Sequence, residues 1–267
     1  MTDVPGKARR FTPQRLAVFL LVVVGLVLWE AQKKIPSGPA EGSTLEGSPA
    51  ATQPAGPTLR VATFNIAGGA EGLDHVAHAA SGFDLVGFQE VHGIGQSEFL
   101  SQNLHQPYVY APVESRWWFK SFGNASATDL PIQHWQRIPI SSNDSDSNRN
   151  VILLRAMFAD EPINVLITHI DRQQDHATEI RNVANLFLSL QEPAILMGDF
   201  NLTEGASGHD NDPDIAALVN SRGVIDPIGK AYDRIFARGF VAVNSGYVEE
   251  HASDHPLAWA ELRLAQP

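Results

Sequence analysis

The residues of this chain best suited to chemistry stand where apolar runs stop. "PAILMGDFN" has the pattern of a buried strand and ends on Asp199 and Asn201, a carboxylate and an amide two residues apart. "RVATFNI" carries Asn65 near its end, "DLVGFQEV" carries Glu90, "INVLITHI" carries His169, and "SDHPL" opens a further run with Asp254 and His255. The ends of neighbouring strands in a packed sheet share one rim, so groups far apart in sequence can meet there. Carboxylates joined by amide oxygens make a hard oxygen site suited to Mg2+, Mn2+ or Ca2+, and the chain has no cysteine from which to build a soft-metal site. The same absence excludes disulfides, a thiolate nucleophile and a lipidated-cysteine anchor.

Alternating strand and helix patterns must position these groups, and they predict an α/β class. "LRVATFNI", "DLVGFQEV", "NVILLRAMF", "INVLITHI", "PAILMGDFN", "YDRIFARGF" and "HPLAWAELRL" read as strands, several too uniformly apolar to keep one face in water. "HATEIRNVANLFLSL" sets Ile180, Val183, Ala184 and Phe187 at helical spacing, and "DPDIAALVNSRG" has an aspartate at its start and a closing glycine. The "FADEPIN" turn predicts an antiparallel hairpin of Asn150–Phe158 with Ile163–Ile170. No internal repeat is visible.

The N-terminus has a different composition. Lys7, Arg9, Arg10 and Arg15 precede Leu16–Trp29, a run of 14 residues without a charge, which is the layout of a secretory signal or signal anchor. As a helix that run spans about 21 Å, short of a hydrocarbon core of roughly 30 Å, so a spanning segment needs snorkelling by Arg15 and an interfacial Trp29. Residues 35–57 contain 16 Pro, Gly, Ser or Ala out of 23, a composition that cannot bury enough surface to offset its ordering entropy. The expected organisation is a basic cytoplasmic stretch at 1–15, a membrane anchor or signal peptide at 16–30, a flexible linker at 31–57 and a catalytic domain at 58–267. The domain would face the periplasm or exterior, held at the membrane or secreted after cleavage.

Charge narrows the partners. The whole chain carries −11, and residues 59–267 hold 13 Lys and Arg against 26 Asp and Glu. A broad duplex-binding surface does not fit that balance, so an anionic substrate must be met by local cations or by metal.

Taken in order, "TFNI", "FQEV", "GNA", "THI", "GDFN", "YDRIF" and "SDHPL" resemble the endonuclease/exonuclease/phosphatase superfamily over about Leu59–Leu264. "GDFN" followed by "SDHPL" is the specific part, because order and separation match as well as residue type. The resemblance implies a four-layer sandwich, two packed mixed sheets with helices outside, and metal-dependent hydrolysis of a phosphate ester. It implies metal binding by Glu90, with Asn65 beside it and Asp254 completing the shell, and Mg2+ as the ion with Mn2+ as a substitute. It assigns His255 to the scissile phosphate as base or transition-state stabiliser and Asp233 as its orienting acid. Asp199 would position water or protonate the leaving oxygen, Asn201 would hold a phosphoryl oxygen, and His169 would be a second phosphate-contacting imidazole. Asn124 of "GNA" would support the phosphate.

Departures from the pattern also carry information. Family members place Glu-x-Arg before the strand that ends in "TH". This chain keeps Arg149, a candidate phosphate contact, but has Ser147 where the glutamate would fall. Only 31 residues separate Asn201 from Asp233, so the loops that shape the groove are short. Trp117, Trp118 and Phe119 could stack on a base, dip into lipid or pack in the core. The expected function is a phosphodiesterase acting on nucleic acid or a lipid head group. The alternatives are a phosphomonoesterase of the same fold and a tethered binding module without turnover.

Overall fold

The computed structural model describes residues 13–31, 41–47, 57–116, 119–141, 148–173, 175–202, 212–229, 232–249 and 251–265. Trp117, Trp118, Ser147 and most of the 31–57 stretch lie outside them. Among the described residues, twelve strands form two six-stranded sheets. The first runs β1 (Glu41–Gly42), β6 (Ile132–Pro139), β7 (Asn150–Phe158), β8 (Glu161–His169), β9 (Ala194–Asp199), β10 (Asp233–Arg238). The second runs β11 (Phe240–Val248), β12 (Leu257–Leu264), β2 (Leu59–Asn65), β3 (Leu85–His92), β5 (Phe119–Thr128), β4 (Tyr108–Arg116). Both are mixed: β2 and β3 run parallel across helix α2 (Leu73–Ala79), β8 and β9 run parallel across α4 (His176–Ser189), and the remaining pairs are antiparallel.

Strand alternation generates the layers. On β9, Ile195 and Met197 face a core shared by both sheets, whereas Ala194 and Leu196 face α4 and α5 (Pro213–Val219). On β2, Leu59 and Val61 enter the shared core, and Ala62 and Phe64 pack toward α2 and α3 (Ile94–Leu104). The order is therefore helices, sheet, sheet, helices, the sandwich expected from the motifs. Close approach of the sheets demands Gly87, where a Cβ would sit 2.8 Å from Ile167 Cγ2 and 3.1 Å from Met197 Cε.

The predicted helix at 176–190 is α4, and its four expected apolar residues are all buried. At α5, Asp212 caps the helix by accepting from the amides of Asp214 and Ile215. The predicted hairpin is β7–β8, closed by Ala159 (φ 49°) and Asp160 (φ 65°), a tight turn that starts β8 two residues earlier than its apolar pattern. "YDRIFARGF" is not one strand. Gly239, at φ 71°, ends β10, and Phe240 begins β11 in the other sheet. β11 exposes four consecutive residues, Val241–Asn244, and β6 is mostly half-buried, so neither shows the periodicity of a core strand.

Part of the composition-defined linker is built into the domain. Glu41 and Gly42 pair with Gln136 and Trp135 on β6, while Glu46 exchanges backbone hydrogen bonds of 2.8 and 2.7 Å with Tyr108 on β4. Trp135 Nε1 donates to the Thr44 carbonyl at 3.0 Å, and Leu45 packs against the shared core. Residues 41–47 thus strap the edges of the two sheets together. Window composition misses this because the strap contributes one apolar side chain and is otherwise held by backbone pairing and by hydrogen bonds from Trp135 and Tyr108.

The uncharged N-terminal run falls within α1 (Pro13–Ala31), whose apolar side chains from Val18 to Leu28 are largely exposed. Among the described residues, no helix is long and apolar enough to cross a membrane. The expected transmembrane anchor is therefore without support from the structure.

The strap is testable through Leu45. Leu45→Ala is expected to lower stability by about 1–2 kcal/mol in urea denaturation, roughly half the cost of a fully buried leucine. A residue of a free linker would change it by less than about 0.5 kcal/mol.

Candidate active site

The rim is organised around Asp199. Gly198 adopts φ 154°, and a Cβ there would lie 2.1 Å from the Thr168 carbonyl, so only glycine lets β9 run this close to β8 before the carboxylate. Asp199 is fully buried at the strand end. Its Oδ1 accepts from the Asn201 amide at 2.7 Å, a local turn with Asn201 at φ 47°, and its Oδ2 accepts from Asn65 Nδ2 at 2.8 Å. Because Asn65 ends β2 and Asp199 ends β9, this bond joins the rims of the two sheets. Asn65 Oδ1 in turn accepts from the Ala67 amide at 3.1 Å.

Across the β9–β10 pairing, Asp233 stands opposite Asp199. The imidazole of His255 donates from Nδ1 to Asp233 Oδ2 at 2.7 Å, leaving Nε2 4.0 Å from Asp199 Oδ2. Burial opposes a charge on His255, but the Asp233 hydrogen bond and the carboxylates of Asp233, Asp199 and Asp254 outweigh it and raise its pKa to about 9. Burial raises Asp233 as well, to about 7, against the hydrogen bond from His255. The pair retains a proton at neutral pH, and its hydrogen bond favours imidazolium with carboxylate. Asp199, Asp233 and His255 form a buried group whose ligand atoms lie within 4.8 Å of one another, and Asp233 Oδ1 is buried with no hydrogen-bond partner among the described residues. A carboxylate oxygen left without a donor fits a divalent cation, with His255 neutral if it ligates; this group is a different one from the expected metal set of Asn65, Glu90 and Asp254.

His169 has the opposite surroundings. Arg149 Nη1 lies 3.0 Å from its Nδ1 and Asn201 Nδ2 lies 3.0 Å from its Nε2, so both ring nitrogens face donors. Burial, then the charges of Arg149, His255 and Arg172, hold its pKa well below the ordinary imidazole value. A neutral imidazole accepts on one nitrogen only; with Nδ1 accepting from Arg149, the Nε2 proton has Asp199 Oδ2 3.5 Å away and Glu90 Oε1 4.0 Å away. The Arg149 strand is anchored from α4. Its backbone N–H donates to Ser141 Oγ at 2.7 Å, and Ser141 donates to the buried Glu179 at 2.6 Å. Glu179 also accepts from the Asp171 amide at 2.6 Å. Burial, the largest influence, raises the pKa of Glu179, and these two hydrogen bonds oppose the rise. The sequence signal for Glu179 is an acid four residues before Val183 on the apolar stripe of α4.

The remaining expected residues are spread around this group. Glu90 sits at a bulge of β3 against β5 with φ 58°, an uncommon conformation for a side-chain-bearing residue, and its Oε1 lies 4.0 Å from His169 Nε2. Asp254 is exposed and lines a cleft of about 890 Å³ with Arg172, Gln173, Asn201, Tyr232, His255 and Pro256. Asn124 is engaged elsewhere, its Nδ2 donating to the Asn150 carbonyl and Oδ1 at 3.0 and 3.2 Å and so tying β5 to β7. Sequence reasoning overlooked Arg172, whose Nε donates to Asn201 Oδ1 at 2.9 Å, and Tyr232, whose ring meets that of His255 edge-on at 5.9 Å. Arg172 lies two residues past the motif "THI", and Tyr232 is the first residue of "YDRIF".

The pair makes a definite pH prediction for chelated protein. In NMR titration of the imidazole nitrogens, His255 is expected to titrate near pH 9, and Asp233→Asn is expected to bring it down by more than one unit. Since the folded pKa lies above the unfolded value of about 6.5, the contribution to stability is full below that pH and is lost as pH rises through the folded pKa. A wild-type midpoint near 6.5 would refute the assignment.

Comparison with known proteins follows this geometry. The model of the Endonuclease/Exonuclease/phosphatase family matches residues 62–255. No curated protein matches the sequence. A humanised TDP2 of D. rerio carrying 14 mutations superposes with a TM-score of 0.60 at 16% identity, covering 78% of this chain and 100% of that one. An endonuclease/exonuclease/phosphatase family protein of Bacteroides thetaiotaomicron gives 0.62 at 18% identity, with 78% and 95% covered. A mannosyl-6-phosphatase of the same organism gives 0.58 at 18% identity, with 76% and 99% covered. With nearly three quarters of its length matched by the family model, the chain belongs to the endonuclease/exonuclease/phosphatase family, whose members hydrolyse phosphoesters.

Proposed function

We propose that this protein hydrolyses phosphodiester bonds by direct attack of water, with nucleic acid and lipid head groups as the competing substrates. The observation that carries the reading is the Asp233–His255 pair at 2.7 Å, facing Asp199 beside an open cleft. The donors gathered at His169, from Arg149 and Asn201, support it, because a phosphoryl oxygen accepts from such groups.

In this reading His255, charged at neutral pH, donates from Nε2 to a phosphoryl oxygen as negative charge builds, and Asp233 holds the ring in place. Neutral His169 stands opposite, with Arg149 fixing its orientation. Asp199 takes the proton of the attacking water as its oxygen bonds to phosphorus. The ester P–O bond breaks, and the leaving oxygen takes a proton from solvent at the cleft mouth. Glu90, Asp254 and Asn65 would hold Mg2+, with Mn2+ as a substitute, and the ion would neutralise phosphoryl charge.

Two neighbours bracket the substrate class: a structure of D. rerio TDP2 holds a single-strand DNA product, and another neighbour is a mannosyl-6-phosphatase. The second favours a phosphomonoester as the alternative substrate. The 13 basic against 26 acidic residues beyond position 58 argue against long duplexes. The basic and apolar N-terminus supports export of the domain, at the membrane or released. Fractionation that finds the protein wholly in the cytoplasm would exclude export.

Turnover of a panel of plasmid DNA, single-stranded nucleic acid, sphingomyelin, inositol phosphates and a small soluble diester with Mg2+ tests the reading. Chelation and Glu90→Gln should each lower activity by orders of magnitude with the fold intact. His255→Ala and Asp233→Asn should each cost about 10²–10⁴-fold, and the double variant little more, because they disable one unit. Full activity after chelation, or a silent Asp233→Asn, would overturn the proposal.

A further inference from the structure

The donors expected to receive the phosphate are largely engaged within the protein. Arg149 gives Nη1 to His169 and sets Nη2 3.7 Å from Asp171, and Asn124 gives its amide to Asn150. Asn201 gives one amide hydrogen to the Ile170 carbonyl at 2.8 Å and keeps the other against His169. Its orientation is settled by two neighbours that agree, the Ile170 acceptor on Nδ2 and the Arg172 donor on Oδ1 at 2.9 Å.

Arg172 differs from all of these. Its Nε is held by Asn201, which fixes the plane of the guanidinium beside the catalytic group, and neither Nη has a hydrogen-bond partner among the described residues. It lines the same cleft as Asn201 and His255, and it is the arginine among the described residues that line that cleft, beside the imidazolium of His255. An anchored guanidinium with a free fork matches two non-bridging oxygens of a phosphoryl group.

We propose that Arg172 is the phosphate-gripping residue of the cleft, binding two non-bridging oxygens of the substrate phosphate through its Nη groups while Asn201 fixes its Nε. The assignment rests on the phosphoesterase reading of this site. It adds a contact that the family motifs do not contain, and it gives a predominantly acidic domain a local cation for its substrate. Lysine could supply the charge but not the anchored fork. Glutamine could keep the bond to Asn201 but not the charge.

Calorimetric titration of the full chain with inorganic phosphate in Mg2+ buffer tests this without requiring turnover. Arg172→Gln is expected to weaken phosphate binding by about 10–100-fold, with Arg172→Lys in between. Melting temperatures should be unchanged, since the residue is exposed. On a small soluble diester, Arg172→Gln should raise KM and the phosphate inhibition constant together, and added guanidinium should restore part of the loss in Arg172→Ala, which leaves the Asn201 acceptor open. A merely structural role would not produce that rescue. Equal phosphate affinity in Arg172→Gln and wild type, or no phosphate binding by wild type, would overturn the proposal. If no substrate is turned over yet phosphate binding depends on Arg172, the hydrolase reading fails and this one stands. If turnover is present and indifferent to Arg172, the reverse holds.

Discussion

A carboxylate with no exposure to water must find its donors inside the protein, and Asp199 is such a group. It accepts from Asn65 at the end of a strand in the opposite sheet and from the amide of Asn201 in its own turn. The two sheets could not slide past each other at this rim without orphaning it. Every other element of the site is placed relative to that bond. Asp233 is its register partner on β10, His255 and His169 approach the same Oδ2 from two sides, and Asn201 carries the link onward to Arg172. The glycine before Asp199 belongs to the same constraint, since a side chain there would push β9 off β8.

Two imidazoles on either side of one carboxylate acquire opposite character from their surroundings. His255 faces acids and is drawn toward the charged form, whereas His169 is deeply buried, faces Arg149 and Arg172, and is held neutral. Residue type alone would have made them equivalent. The difference comes from which sheet edge supplies the neighbours: β10 brings Asp233 to His255, and the start of β7 brings Arg149 to His169. Arg149 lies directly on the ring, and Glu179 of α4 braces the segments that carry Arg149 and Asp171. The site is divided into an acidic side suited to a cation and a donor-rich side suited to an anion, as hydrolysis of a charged ester requires.

Much of the architecture was legible because burial imposes periodicity. β9, buried along its whole length, and α4, with Ile180, Val183, Ala184 and Phe187 inside, match their patterns closely. β11 was not, because an edge strand with exposed valines has no buried face to report. The strap at 41–47 was hidden for a related reason. Its ordering depends on backbone pairing to two sheet edges that do not exist until the sandwich forms. Leu45 alone could not signal it.

By itself the sequence determined which chemical groups stand at strand ends, that they are hard acids, amides and imidazoles, and that their order is that of a phosphoesterase. Local periodicity and residue type suffice for the first two, since each concerns neighbours along the chain, and the family resemblance of the ordered motifs supplies the third. Only the tertiary structure decided how the groups pair. It joined Asn65 to Asp199 across 134 residues, turned Asn124 to Asn150, wedged Arg149 against His169, and left the fork of Arg172 toward the cleft. Hydrogen-bond partners at a rim are set by the spacing and register of two separately formed sheets, and no window of the sequence contains that distance.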